Sequence, residues 1–236
     1  MKASPAPAAR GARPMVVYQT LRARIVRGQL APGSRIVETD VAARLQVSRP
    51  PVRGALQRLQ QEGYIVDSPS LLQSRPMVAP LTREDAMELF SIVAEIEGLA
   101  ARCAAQLDAG PRERLATALA ALNDRLGKAS RAKVPRHDLL YDLDERFHRA
   151  YVTAAAGPRL RALHDVVKPQ AERYERLYVS LLSRGLAPSV AEHAAIIRAI
   201  RAGDADAAQR AVQANWRNAA DRLGRVISSV GERGQW

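Results

Sequence analysis

Aromatic side chains are scarce in this 236-residue chain: two Phe, two Trp and six Tyr, 4% of the total. Sheet cores draw on aromatic and β-branched residues, so the shortage, set beside abundant Ala, Leu and Arg, favours close-packed helices. Cysteine is nearly absent. The lone Cys103, in an apolar helical run, excludes an intrachain disulfide and reads as a small core residue in a protein of the reducing cytoplasm. No apolar run reaches the roughly 18 residues of a membrane span, so no membrane partner is expected. Residues 1–14, with Pro5, Pro7 and Pro14 among Ala and Arg, lack the apolar stretch of a signal peptide and read as a disordered basic tail.

Negative charge is also in deficit: 24 acidic residues stand against 36 basic ones, a net charge of +12. Residues 1–80 hold 12 Lys/Arg and 4 Asp/Glu, whereas residues 81–236 hold 24 and 20. The excess is therefore concentrated in the first third, as neutralisation of nucleic-acid phosphates requires. A general bias toward arginine explains the sign of the charge but not this asymmetry.

That third contains the run from Ser48 to Tyr64. Val52, Leu56 and Leu59 recur at i, i+4 and i+7, one buried helical stripe. Arg49, Arg53 and Gln57 recur on a flanking face. An apolar back and an arginine-edged front suit a DNA major groove, because arginine pairs with a guanine edge or clamps a phosphate. Pro50 and Pro51 predict a helix start at one of them, with Arg49 outside or at the cap. Ser48 takes the N-cap position, although the prolines remove amides it would have bonded. Two shorter helices lead in, Val16–Gly28 and Glu38–Gln46, around a breaker-rich turn at Ala31–Arg35. Tyr64–Val66 and Met77–Val78 read as two wing strands, joined by a long connection without glycine. Three helices and a small β-wing make a winged helix-turn-helix over residues 15–79.

Val17–Val66 closely resembles the DNA-binding domain of the GntR family of bacterial transcription regulators. The marks are Ile25…Gly28, Pro32-Gly33, Glu38 with Val41-Ala42 and Leu45, Val47-Ser48-Arg49, Pro51-Val52-Arg53, Ala55-Leu56 and Leu59…Glu62-Gly63. The resemblance implies double-stranded DNA as partner. Arg49 and Arg53 would meet bases or phosphates and Arg35 phosphates, with Ser48 and Gln57 on the same front and Arg75 as the wing contact. Many relatives carry threonine where Pro50 stands, glutamate where Gly54 stands, and a glycine-bearing wing tip.

Residues 80–236 show no strand signal and read as an all-α antiparallel bundle of about six helices, so the fold class is mainly α. Thr82 caps the first, which runs to about Leu107 with Glu84 and Asp85 in its first turn. The others span about Arg112–Gly127, His137–Ala156, Arg159–Arg184 with Pro169 inside, Ser189–Ala202 capped by Ser189, and Ala205–Val230 capped by Asp204; residues 128–136 form a basic loop. Asp144 and His148, at i and i+4, share one helix face, and His193 on a later helix can converge on them. One carboxylate and two imidazoles suit a divalent transition metal such as zinc, nickel or manganese. The same three side chains also suit a buried hydrogen-bonded network. His137 and His164 carry no motif and receive no role.

This half resembles the FadR-type effector domain of one GntR branch, on Leu89…Glu97 with Leu99-Ala100-Ala101, Asp144-x-x-Phe147-His148, Glu192-His193-x-x-Ile196…Ala199-Ile200 and Gly203-Asp204…Ala207-Ala208. The resemblance implies that Asp144, His148 and His193 bind a metal in the effector pocket, together with a histidine whose position is Asn215 here. The expectation is a three-ligand site completed by water or effector, or no metal. An arginine that pairs with effector carboxylates in relatives is replaced by Val93. Glu97 and Arg173 remain as pocket residues, with Arg102 as a further cation. The resemblance of the two halves together implies a ligand-responsive regulator, a repressor of a metabolic operon, that binds a palindromic operator as a homodimer and senses a small metabolite. The alternatives are a metal-dependent enzyme built on the two-His-one-carboxylate set, and a non-specific architectural DNA-binding protein.

Overall fold

The computed structural model describes residues 12–68, 75–182 and 187–234. Among these lie α1 (Ala12–Val26), α2 (Glu38–Leu45), α3 (Arg49–Gln61), β1 (Ile65–Asp67), β2 (Pro76–Val78), α4 (Arg83–Ala105), α5 (Ala109–Ser130), α6 (His137–Ala155), α7 (Pro158–Leu182), α8 (Ala187–Ala202) and α9 (Ala205–Val230). The chain divides into two compact units. One extends to Leu81 and takes in the chain again from Glu232; the other is Thr82–Gly231. No helix among the described residues is long and apolar enough to cross a membrane.

In the first unit, α3 buries the expected stripe. Val52, Ala55, Leu56 and Leu59 pack with Val17, Leu21 and Ile25 of α1, Ala42 of α2, and Tyr64, Ile65 and Val78 of the wing. Two boundaries next to proline differ from expectation. The first-turn amides of a helix have no intrahelical acceptor, so proline there removes no hydrogen bond. Hence α1 starts at Ala12 with Pro14 in its first turn, not at Val16; residues 1–11 of the expected tail lie outside the described residues. Likewise α3 starts at Arg49, inside the helix rather than before it, because burial of its stripe outweighs the pre-proline preference for extended backbone. Ser48 occupies the N-cap without a side-chain bond, since the amides it would reach belong to Pro50 and Pro51.

The wing strands pair antiparallel, Ile65 opposite Val78 and Asp67 opposite Pro76. Sequence periodicity missed a third partner on the far edge of β2. Gly33 N–H donates to the Val78 carbonyl, Val78 N–H to Ser34 and Ile36 N–H to Pro76, each at 2.9 Å. The tip of the wing, residues 69–74, lies outside the described residues.

Gly54 has a helical backbone and a face open to solvent; a Cβ added there would meet nothing within 4 Å. The fold does not need glycine at this position. Gly54→Ala is expected to stabilise the unit by about 1 kcal/mol through helix propensity, raising its thermal midpoint by several degrees. An unchanged or lower midpoint would show a conformational need that the backbone does not reveal.

The second unit is six helices. Thr82 Oγ1 accepts from Asp85 N–H at 3.1 Å and Asp204 Oδ1 from Ala207 N–H at 2.9 Å, so both expected caps form. Helix α9 lies antiparallel along α4. Arg102 pairs with Asp206 near one end, and Gly224 meets Met87 and Arg83 near the other. At the middle, a Cβ on Gly98 would press to 3.3 Å from the Gln209 and Gln213 side chains, so glycine sets the closeness of the pair.

Helix α5 is longer than expected: it starts at Ala109 rather than Arg112, with Gly110 and Pro111 in its first turn, and it runs into the basic stretch as far as Ser130. Helix α7 continues through Pro169, held by the buried Ala171, Tyr174 and Tyr178 beyond it. Helix α8 begins two residues before Ser189, which is therefore not a cap; its Oγ accepts from Arg222 at 3.0 Å.

Candidate functional site

The exposed face of α3 is built from its periodicity. At 100° per residue, Pro50, Gly54 and Gln57 lie opposite the buried stripe, and all three are exposed or half-exposed. Arg49 and Arg53 flank this ridge on the α2 side. Arg53 Nε and Nη2 donate to the two carboxylate oxygens of Glu38, each at 3.2 Å, and Arg49 Nη2 is 3.8 Å from the same group. Glu38 itself sits in the first turn of α2, where the helix dipole favours a carboxylate. The fork of Glu38 thus holds both guanidinium groups beside the ridge. Sequence reasoning assigned Glu38 no role, although its place at a helix start was visible.

On the other flank, Arg58 is engaged by Glu62 at 2.9 Å and lies 4.0 Å over the Tyr18 ring, so it braces α3 against α1. Ser48 and Arg35 are exposed, the latter in the segment paired with β2. Arg75 stands at the base of the wing, where its carbonyl accepts from Ser68 N–H at 2.9 Å.

The helical unit centres on Glu97, which is fully buried. One carboxylate oxygen takes Nδ1–H of His148 (2.7 Å), the Tyr151 hydroxyl (2.5 Å) and the Trp216 indole N–H (2.9 Å); the other takes His164 Nε2 (3.0 Å). Desolvation works against the charge of Glu97, but His148, His164 and Lys168 bring its pKa well below the usual carboxylate range. Burial likewise opposes charge on His148, yet the charge and hydrogen bond of Glu97 leave its pKa raised. With Nδ1 committed to Glu97, His148 presents Nε2 to Asp144 and His193. A carboxylate that fixes the tautomer and aim of an imidazole is the usual outer partner of a metal-binding histidine.

The three expected ligands do come together. One donor atom from each of Asp144, His148 and His193 lies within 4.8 Å of the others. His193 stacks on Phe147 at 3.9 Å and is completely buried. Neither of its ring nitrogens has a hydrogen-bond partner, and the 3.5 Å approach of Nε2 to Asp144 Oδ1 is not a hydrogen bond. Burial and the nearby His148 hold its pKa well below the ordinary value, so it carries a free lone pair. A buried imidazole with two orphaned nitrogens is costly. A metal ion would relieve one of them, and the nitrogen, nitrogen, oxygen donor set fits zinc, nickel or manganese.

Asn215, at the position of the fourth ligand, is buried and donates to Glu192 at 2.7 Å. Glu192 also accepts from Asn218 and Arg222, both at 2.9 Å. Val93 is buried one turn before Glu97 on α4. Arg102 points along the α4–α9 pair to Asp206 and Gln209 and is not part of the cluster. Arg173 is buried on α7, its charge felt at Tyr174.

The cation beside Glu97 is Lys168, which sequence reasoning missed; it is buried, bonded to Glu175 at 2.9 Å, and 4.9 Å over the Trp216 ring. His164, assigned no role from sequence, belongs to the Glu97 cluster. Tyr151, at i+7 from Asp144 and i+3 from His148, was findable from helical spacing. His164 and Lys168, one turn apart on α7, had no such local companion.

An arginine-flanked helix on a winged helix-turn-helix, joined to an all-helical bundle with a polar cluster at its heart, is the architecture of a DNA-binding transcription regulator. Comparison with known proteins agrees. The model of the FCD domain matches residues 88–218, and that of bacterial regulatory proteins of the gntR family matches residues 15–69. The chain belongs to the GntR family, in the branch with a C-terminal FCD domain, and is a regulator rather than an enzyme. It is 29% identical over 212 residues to an HTH-type transcriptional regulator in an unstable DNA locus of Streptomyces ambofaciens, covering 89% of this chain and 84% of that one. An HTH-type regulator from Agrobacterium vitis is 32% identical over 146 residues, 61% of this chain and 81% of the relative. In structure, Escherichia coli McbR/YncC shares the fold with a TM-score of 0.67 at 18% identity, over 91% of this chain and 98% of that one.

Proposed function

We propose that this regulator binds a palindromic operator as a homodimer through α3, and that a small metabolite alters its DNA affinity at a metal site made by Asp144, His148 and His193. The observation that carries the reading is His193: a buried, uncharged imidazole with no hydrogen-bond partner, beside one carboxylate and one aimed imidazole. Asp144 supplies an oxygen and the two histidines supply nitrogens, while Glu97 and Phe147 hold the rings in place. With three protein ligands, a bound divalent ion would keep positions open for donor atoms of an effector. Asn215, committed to Glu192, supports that open site. Val93 offers no charge to an effector carboxylate, so the effector class favoured is a small molecule that coordinates the metal. Homodimer formation is supported by Leu163, Val166, Leu177 and Leu181, which share one face of α7 and remain exposed.

Elemental mass spectrometry after incubation with zinc, nickel or manganese tests the site. About one ion per chain is expected, and none in His148→Ala. If the wild-type protein takes up no metal, sensing at this site rests on direct side-chain contacts instead.

A further inference from the structure

The ridge of α3 that faces straight outward is bare where it starts. Pro50 and Gly54 are one turn apart on it and both exposed, and side chains that can hydrogen-bond begin only in the next turns, with Gln57 and Gln61. The arginines do not fill the gap, because the carboxylate of Glu38 draws Arg53 and Arg49 to the α2 side. The first turn also lacks the usual means of holding a phosphate. A helix N-terminus does so with free amides, and Pro50 and Pro51 have none to offer.

Gly54 sharpens the point. Its backbone is helical, and a Cβ added there would meet nothing within 4 Å. Neither its φ nor the packing of its own unit calls for glycine, and glycine weakens a helix. It lies in the first half of α3, and in a helix-turn-helix the N-terminal residues of the recognition helix are the ones that meet base edges. A glycine without a reason inside the fold points to one outside it, the close approach of another surface to the backbone.

The chemistry of the major groove decides what can lie against such a strip. Base pairs present donors and acceptors there, and the 5-methyl of thymine is their one apolar group. A proline ring and a bare helical turn would leave donors and acceptors without partners, but they suit a methyl.

We propose that α3 reads its operator through close apolar contact. The Pro50 ring lies against a thymine methyl, and Gly54 lets the helix backbone down onto the base edges, while Arg49, Arg53 and Gln57 supply hydrogen bonds around them. The inference rests on α3 being the DNA-binding helix of a homodimer, as in the proposed function, and adds what that helix reads.

The test selects an operator with the full chain from a random-sequence pool and follows affinity by gel-shift titration. Uracil then replaces thymine at one position at a time in both half-sites, which removes the methyl and nothing else. At one such position wild type is expected to bind about 15-fold more weakly, the transfer of two methyl groups at about fourfold each. Pro50→Ser is expected to lose less than about twofold from the same replacement, the mark of a direct contact in a double-mutant cycle. Gly54→Leu keeps a strong helix former, so its thermal midpoint should be no lower than that of wild type. It should nonetheless bind at least about tenfold more weakly, because its side chain fills a close contact. An operator without thymine in its half-sites, uracil without effect, or an equal effect in Pro50→Ser overturns the methyl contact. Wild-type affinity in Gly54→Leu overturns the close approach. Arg53→Ala keeps the two levels apart. If it weakens binding while these results fail, α3 still binds DNA and only the inference falls; if it too binds as wild type does, α3 is not the reading helix and both fall.

Discussion

Glu97→Leu is expected to destabilise the helical unit by about 3–5 kcal/mol, the usual consequence of removing one member of a buried charged network. The expectation rests on a count of what the substitution leaves behind. His148, Tyr151, His164 and Trp216 each direct a polar group at this one carboxylate from 2.5–3.0 Å. None has water to turn to, because all lie in the core of the unit. Lys168 also loses a nearby countercharge, though Glu175 still holds it at 2.9 Å. Leucine adds some apolar packing, but an isolated buried donor costs about 1–3 kcal/mol, and several are orphaned together.

Glu97→Gln keeps the shape and one acceptor oxygen, so its loss should be clearly smaller. Its effect should appear instead in metal affinity, which falls about 10–100-fold when the outer partner of a ligating histidine is weakened. Urea unfolding reads the first effect and isothermal titration with zinc the second. If Glu97→Leu unfolds within about 1 kcal/mol of wild type, Glu97 is not the keystone of the cluster.

The second large effect is expected at the DNA face. Arg53→Ala should weaken binding about 5- to 150-fold, as loss of a bidentate contact to a base does, with the operator taken from selection out of a random-sequence pool. Its thermal midpoint should scarcely move. The fold loses only an ion pair with Glu38 at the surface, and exposed pairs contribute little because water and salt screen both charges. This separation of affinity from stability is what distinguishes a contact residue from a structural one. Arg49→Ala tests the flank on the same carboxylate: a phosphate contact lowers affinity for all sequences alike and reduces the salt dependence. Unchanged operator affinity in Arg53→Ala would remove that residue from the interface and leave Arg49 as the charge flanking the ridge of Pro50, Gly54 and Gln57 on that side.

Much of this protein was legible along the chain, because the signals are local. The stripe of Val52, Leu56 and Leu59 defines α3 and its exposed front through a period of 3.6. Thr82 and Asp204 mark helix starts because a side-chain oxygen reaches an amide three residues on. Asp144 and His148 share a face because they are one turn apart. Where local reading erred, at Pro14 and Pro111, it left outside a helix a proline that the first turn tolerates, and before Pro50 it left Arg49 outside the helix by the pre-proline preference alone.

The tertiary structure decided the rest. Glu97 meets partners 51 to 119 residues away on α6, α7 and α9, and periodicity states only that such faces are buried, not which helix each will meet. For the same reason His164 and Lys168 had no visible role until α7 packed against α4, and Asn215 found Glu192 only through the α8–α9 contact. The bond between Leu81 and Arg233 lies furthest from any sequence signal. It is made by backbone groups, which every residue but proline possesses alike, and only the folded chain brings those two together.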